Sequence, residues 1–413
     1  MSDFDLPIGA IPSSWSVAEL KEVTSKIGSG ATPRGGAKVY RDEGTAFIRS
    51  QNVLDNEFSV RGLVHIDDDA ADALSGVSVL PGDVLFNITG DSILRTCVVP
   101  DSVLPARVSQ HVAIIRSNGS VDPLFLQKYL TIPAVKEYML GHSAGGTRKA
   151  ITKGHIEGFV VPFPPLPEQR AIAEVLGALD DKIESNRRVA RLLDESFHLE
   201  WRRSFGGQGS LTWETIRLGD FCSTQYGFTA SATSEDVGPR FLRVMDINKQ
   251  NWIDWSGVPH AAVTPKDEEK YGLSKGDLVI ARMADPGKSA IVEEDAPGAV
   301  FASYLVRLKP ETLADSYFLF GFLKSPGFMD FAGGAASGSV QKNMNARVMG
   351  EAEFTLPTKA ERDVFLKTVL PGRRMLQHSV GENRALVMLR DALLPALLSG
   401  RIRVPAAAEL VEA

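Results

Sequence analysis

The chain is written twice. Trp15 and Leu20 recur as Trp213 and Leu218, and Phe47-Ile48-Arg49 recurs as Phe241-Leu242-Arg243. Gly82-Asp83-Val84-Leu85 returns as Gly276-Asp277-Leu278-Val279, Ser109 as Ser303, and Asp122 with Phe125 as Asp315 with Phe318. Gly146 matches Gly338, and Arg170 matches Arg362. Order is kept throughout while the offset drifts down from 198 to 192, so short deletions separate the copies. Matches that stay in order over this length mark duplication of a whole domain with the segment after it, not a short solenoid repeat. Whatever the fold is, it must work twice.

Each copy predicts the same series of elements. A tryptophan opens a short amphipathic segment, WSVAELKEVT or WETIRLGDFC. In the first copy a Gly-rich loop, GSGATPRGG (28–36), follows. TAFIRSQNV (45–53) and RFLRVMDIN (240–248) read as strands, as do GDVLFNIT (82–89) and GDLVIARM (276–283), each entered through a Gly-Asp turn. VAIIRS (112–117) and YLVRLK (304–309) end the sheet. One helix is expected at 122–140 and its match at 315–332, then a small-residue loop at 141–152 or 333–344. Pro-rich strands, VVPFPPLP and FTLPT, lead into a long helical segment in each case.

The first long segment, residues 167–205, holds no proline after Pro167, which suits a first helical turn. Its seam runs Ile172, Leu176, Leu179, Ile183, Asn186, Ala190, Leu193, Phe197, the alternating steps of four and three of a coiled coil. Such a helix is roughly 60 Å long. Asn186 on the seam is a residue type that fixes register at some cost in stability. The second segment, 359–399, is less regular: Phe365, Val369, Leu376, Asn383, Leu386, Leu393 and Leu397 approximate one face, while Pro371 and Pro395 should kink or break it. The fold expected is a pair of α/β (α+β) domains, residues 1–165 and 208–357. They are separated by two long antiparallel coiled-coil helices, 166–207 and 358–400, related by a pseudo-two-fold axis. A thin tail follows at 401–413.

With 413 residues, 44% hydrophobic and 23% charged, the chain can build two or three real cores. No apolar run approaches a membrane span, and the acidic N-terminus lacks a signal-peptide layout. Two isolated cysteines, Cys97 and Cys222, argue against a disulfide framework or zinc site and fit a reducing cytoplasm. The net charge of −6 argues mildly against charge-driven, nonspecific nucleic-acid binding, though it hides local patches.

Catalytic signatures are missing. There is no phosphate-binding GxxxxGK[ST] and no HExxH, and the GxSxG match at 141–145, GHSAG, falls in the small-residue loop after the expected helix, not at a strand-to-helix turn. FAGGAASG (331–338) is Gly-rich but follows a helix, which makes it a poor dinucleotide loop. What stands out is polar residues in matching loops. Arg49, Gln51 and Asn52 face Arg243, Asp246 and Asn248 across the repeat, and Asn87 and Thr89 stand where the second copy has Ala281 and Met283. Arg148 and Lys149 match Val340 and Gln341, with Lys342 adjacent. Arg34, Gln225, Tyr226 and Arg282 complete the candidate set. Arg, Gln and Asn form bidentate hydrogen bonds to guanine and adenine edges, whereas Lys and Thr reach phosphates. Each of these could equally be ordinary loop polarity. The set is more informative, because the shared motifs are structural and the polar residues beside them differ. On the helices, Leu179, Ile183, Asn186, Leu193, Asn383, Leu386 and Leu393 are candidates for register and subunit docking.

PLPEQRAIAEVLGALDDKIESN (165–186), LLPALLSGRIRV (393–404), the doubled W-x4-L start, GSGATPRGG with FIRSQNV, and PGDVLFNITG (81–90) together resemble the specificity subunit of type I restriction–modification systems. The second junction, TLPTKAERDVF, departs from the PLPEQ form. The resemblance implies two target-recognition domains, each reading half of a bipartite, gapped site in double-stranded DNA. The helices would set the gap and dock two methyltransferase subunits. Restriction subunits could join them. S-adenosylmethionine, ATP and Mg would belong to those partners, and this chain would need no cofactor and do no catalysis itself. The competing readings are a two-headed protein-interaction scaffold without DNA specificity and, further off, an enzyme with an unrecognised site.

Overall fold

The computed structural model describes residues 6–141, 150–207, 212–294, 298–336 and 344–404. Most of the two small-residue loops and most of the tail therefore lie outside the described residues. The chain divides into two compact units, one of residues 1–183 with 386–413 and one of residues 184–385. Two helices of 40 residues, Leu166–Phe205 and Lys359–Leu398, contribute one part to each unit. Among the described residues no helix is long and apolar enough to cross a membrane.

In the first unit, Thr24–Ser29, Val112–Ser117, Val84–Asn87 and Thr96–Val98 form an antiparallel four-stranded sheet in that order. Ile114 sits opposite Gly28 on one side and Leu85 on the other. A second sheet holds a parallel pair, Thr45–Ile48 beside Ala106–Val108. Ser16–Glu19 pairs with Val160–Phe163 and so ties the opening of the domain to its close. The second unit repeats each pairing. Ser223–Tyr226, Leu305–Lys309, Leu278–Ala281 and Ser289–Ile291 form the four-stranded sheet. Phe241–Leu242 lies parallel to Val300–Phe301, and Glu214–Arg217 pairs with Glu353–Leu356. The strands expected at 45–53 and 240–248 are shorter than expected. Each ends within a few residues and turns into a 3-10 turn, Ser50–Asn52 or Val244–Asp246.

Each expected single helix after the sheet is two. Pro123–Thr131 stops before Pro133–Gly141, and Leu313–Leu323 stops before Pro326–Ala336. Each proline begins the next helix, the one position where its missing amide costs nothing. Side-chain caps start the first of each pair: Asp122 accepts from the amides of Leu124 and Phe125, and Thr312 from that of Asp315.

The second long helix continues through Pro371 and Pro395, against expectation. An interior proline costs about 3 kcal/mol. Here Pro371 is exposed, while Val369, Arg373, Leu376, Leu394 and Leu397 on either side are buried, and that packing offsets the loss. On the first long helix the seam residues Ile172, Leu176, Ile183, Asn186, Ala190 and Phe197 are all buried. In the first unit, Ile172 and Leu176 join Leu394, Leu397 and Leu398 in the core beneath the sheet. In the second, Phe197 and Trp201 join Phe365 and Val369 in the matching core. The helices therefore run antiparallel within each unit, and each buried Leu or Phe contributes on the order of 1.5–3 kcal/mol.

The two domain–helix junctions correct the alignment drawn from sequence. Gln169, fully buried, accepts from the amide of Asp122 (2.7 Å) and donates to the carbonyls of Pro164 (2.8 Å) and Ser120 (3.1 Å). Arg362 occupies this place in the second copy. It donates to Asp315 at 2.7 Å and to the Pro357 carbonyl. Arg362 thus corresponds to Gln169, not Arg170, and the departure from PLPEQ exchanges an amide for an ion pair at the same joint.

Candidate nucleic-acid interface

In each unit the candidate loops leave the ends of the strands and converge on one short segment. In the first unit this is Val108–Val112. The amide of Gly30 donates to the Val112 carbonyl, and that of Ala31 to Val108. Ser109 donates to Ile48, and Ile88 to His111. In the second unit, Gly227 donates to Leu305, Phe228 to Phe301, Ala302 to Leu242 and Arg282 to Tyr304. The approach is close enough to require glycine. A Cβ on Gly30 would lie 1.9 Å from the Val108 carbonyl oxygen, and one on Gly227 would lie 2.3 Å from that of Phe301.

The same frame carries different side chains. In the first unit, Thr32 donates to Gln110 Oε1 (2.6 Å), Gln110 Nε2 lies 3.0 Å from His111 Nε2, and His111 Nδ1 lies 2.7 Å from Thr89 Oγ1. Thr32, Gln110 and His111 are exposed, so this chain of amide, imidazole and hydroxyl groups faces solvent. Arg34 beside it is exposed and has no ion-pair partner among the described residues. In the second unit, Tyr226 and Tyr304 are exposed large side chains, and the Arg282 guanidinium lies 4.9 Å over the Tyr226 ring. Thr229 donates to Ser303 at 3.2 Å. Thr32, Gln110, His111, Thr229 and Tyr304 were not singled out from sequence. The signal that could have found them is the matched Ser109 and Ser303, which sit at the hub.

Several sequence candidates need correction. Asn52 and Asn87 are fully buried and have no surface to offer a base. Asn52 Oδ1 accepts from the Arg49 amide (3.0 Å) and its Nδ2 donates to Ser59 (2.9 Å), while Asn87 Nδ2 donates to Ser50 (2.9 Å). The second copy repeats the first of these with Asp246, which accepts from the Arg243 amide at 2.8 Å. Asn52 and Asp246 therefore close the turn after the strand. Arg243 is held bidentately by Asp246 (3.0 and 2.9 Å), and Arg49 donates to the Gly62 carbonyl (2.6 Å) beneath Tyr40. Both arginines are half-buried and used internally. Gln51 is exposed but also reaches Gly62, at 3.3 Å. Gln225 is bonded to Arg307 and to the Lys270 carbonyl within the sheet, and Asn248 donates to Asp285. Arg148, Lys149, Gln341 and Lys342 lie outside the described residues.

The helix candidates face inward. Leu393 packs on the first core, and Leu193 packs on the small cluster of Ala190, Leu376 and Val380. Asn186 donates to Glu382 at 2.7 Å, a polar contact inside the seam that suits register. Ile183 is buried, and Leu179, Asn383 and Leu386 are partly so. The apolar residues left outward are others: Val175, Leu192 and Leu199 on the first long helix, and Val364, Met375, Met388 and Leu389 on the second. As for reactive chemistry, burial pushes the Cys97 and Cys222 thiols up to about 12, so neither is a thiolate near neutrality. Among the described residues no group of His, Cys, Asp and Glu is arranged to hold a metal ion.

Comparison with known proteins agrees with this frame. Residues 12–193 match the type I restriction modification DNA specificity domain. A Methanocaldococcus jannaschii protein, provisionally named the MjaX type I specificity subunit, is 33% identical over 197 residues, covering 46% of this chain and 42% of that one. The MjaIX specificity subunit of the same organism is 21% identical over 96% of this chain and 95% of its own. The crystal structure of a type I S subunit from M. genitalium aligns with a TM-score of 0.61 at 13% identity, over 94% of this chain and 96% of that one, a likeness of fold. Residues 12–193 thus carry the likeness to a type I restriction modification DNA specificity domain, and over nearly its whole length the chain is similar to the specificity subunits of type I restriction enzymes.

Proposed function

We infer that each unit reads one half of a bipartite, gapped DNA target. The observation that carries this reading is the repeated hub. One backbone frame, held by matching hydrogen bonds and matching glycines, presents Thr32, Gln110, His111 and Thr89 in one copy and Tyr226, Arg282 and Tyr304 in the other. A scaffold for a single symmetric partner would have no use for this divergence. Amides and imidazoles read base edges, while Arg on Tyr suits guanine and stacking. Residues 1–165 and 208–357 act as the two recognition domains. The long helices between them set the gap, and their outward apolar residues dock two methyltransferase subunits in the cytoplasm, to which restriction subunits can add. Selection of bound duplexes from a random pool, with methyltransferase subunits present, tests this. A two-part consensus with a constant gap is expected, and an ungapped or absent consensus would overturn the reading.

A further inference from the structure

The second unit has a basic groove built on a loop that is acidic in the first unit. Arg187 and Arg191, one turn apart on the first long helix, form one wall. The loop Ile247–Trp252 and Lys288 form the other, enclosing about 470 Å³. The loop is fixed from behind. Trp252 packs against Ala190, Leu376 and Val380, and Asn251 donates to Asp194 at 2.6 Å. Lys249 and Lys288 are exposed and have no ion-pair partner among the described residues.

The local acids engage the two arginines but neither Lys249 nor Lys288 among the described residues. Glu184 is shared by Arg191 (2.8 Å) and Arg187 (3.7 Å). Asp194 is taken by Arg373 at 2.6 Å, which leaves Glu195 on the wall. The matching loop of the first copy, residues 53–58, reads VLDNEF where the second, residues 247–252, reads INKQNW. There Asp55 pairs with Lys136 at 2.6 Å and Asn56 accepts from Lys128 at 2.9 Å, so that loop is acidic and closed down.

The groove is also continuous with the reading face. Asn248 at its lip donates to Asp285 at 2.9 Å, in the turn that runs from Arg282 to Lys288. We propose that this groove binds the phosphodiester backbone of the target duplex, so that the second unit grips DNA by charge beside the bases it reads. This rests on the DNA-recognition reading above. The ligand is one strand's phosphates, met by Arg and Lys without base selection.

The test uses the full chain assembled with its methyltransferase subunits and a labelled duplex carrying the selected site, titrated over a series of KCl concentrations. Each phosphate-bound cation removed lowers the salt slope by about 0.9, so Lys249→Ala with Lys288→Ala should flatten it by about 1.8 while the selected consensus stays the same. Lys249→Arg with Lys288→Arg, which keeps both charges, should retain the slope and controls for folding. An unchanged slope in the alanine variant overturns the groove. So does weaker assembly with the methyltransferase at unchanged slope, which would mean an acidic protein segment occupies it. If the unaltered complex shows no salt-dependent, site-selective binding, the recognition reading itself fails. If it does and only the variants fail to differ, the groove alone fails.

Discussion

The two copies hold the long helices by opposite charge arrangements. In the first unit an acid on the helix is surrounded by cations: Asp180 accepts from Lys128 and from Arg390 at 3.0 Å. In the second unit a cation on the helix is surrounded by acids. Arg373, 1% exposed, donates to Asp194 at 2.6 Å and bidentately to Glu293 at 2.7 Å. Tyr317 and Gln377 complete the shell of Glu293 at 3.0 and 2.5 Å. Duplication preserved the need for a polar lock between domain and spacer but not its sign. What the fold constrains is the satisfied network, since a buried charge without partners costs far more than the network contributes.

That comparison can be broken most sharply at Arg373. Arg373→Met leaves two buried carboxylates without their cation and should cost about 3–5 kcal/mol in denaturant unfolding. Replacing Arg373, Asp194 and Glu293 together by apolar residues should recover most of it. Arg390→Ala, at a partly exposed site where Asp180 keeps Lys128, should cost about 1 kcal/mol or less. Equal losses at the two sites would mean that burial does not distinguish the locks.

The junctions come next. Gln169→Ala strands the Asp122 amide and the Pro164 carbonyl, and Arg362→Ala strands Asp315, so each should cost up to about 3 kcal/mol. Gln169→Glu should not substitute, because a carboxylate cannot donate to Pro164. Stability of that variant equal to the parent chain would show that the donated bond is dispensable.

A smaller effect follows pH. Burial pushes the Asp194 carboxyl up, but His198 at 3.6 Å, the charge of Arg373 and the hydrogen bond from Asn251 outweigh it and hold the group at about 2. A carboxyl lowered in the folded state contributes stability in full above its unfolded value near 4, and that stability is lost as pH falls toward about 2. Unfolding measured across this range should show a loss of about 2 kcal/mol that Asp194→Asn abolishes. An identical acid limb in the variant would place the sensitivity elsewhere.

Much of this architecture was legible from residue spacing. The duplication, the seam from Ile172 to Phe197 and the strands at Val84–Asn87 and Leu278–Ala281 depend on local periodicity, which packing then confirms. Pro371 and Pro395 misled because local breaking tendency is outweighed by burial on either side. Asn52 and Asn87 misled because a polar residue type does not tell whether it faces solvent or closes a turn. Gln110, His111 and Tyr304 escaped notice because their loops meet the others only once the sheet is assembled. Arg362 stands in for Gln169 with no shared chemistry type, so only the joint itself reveals the match.

The central claim is that one repeated frame reads two different half-sites. The most direct measurement is the consensus selected from a random duplex pool, with methyltransferase subunits present, by variants of each hub. Gln110→Ala with His111→Ala should relax positions in one half-site only, and Tyr226→Ala with Arg282→Ala positions in the other, at about 1–3 kcal/mol for each bidentate hydrogen-bonded pair removed. Relaxation of both halves by either double variant would contradict the account.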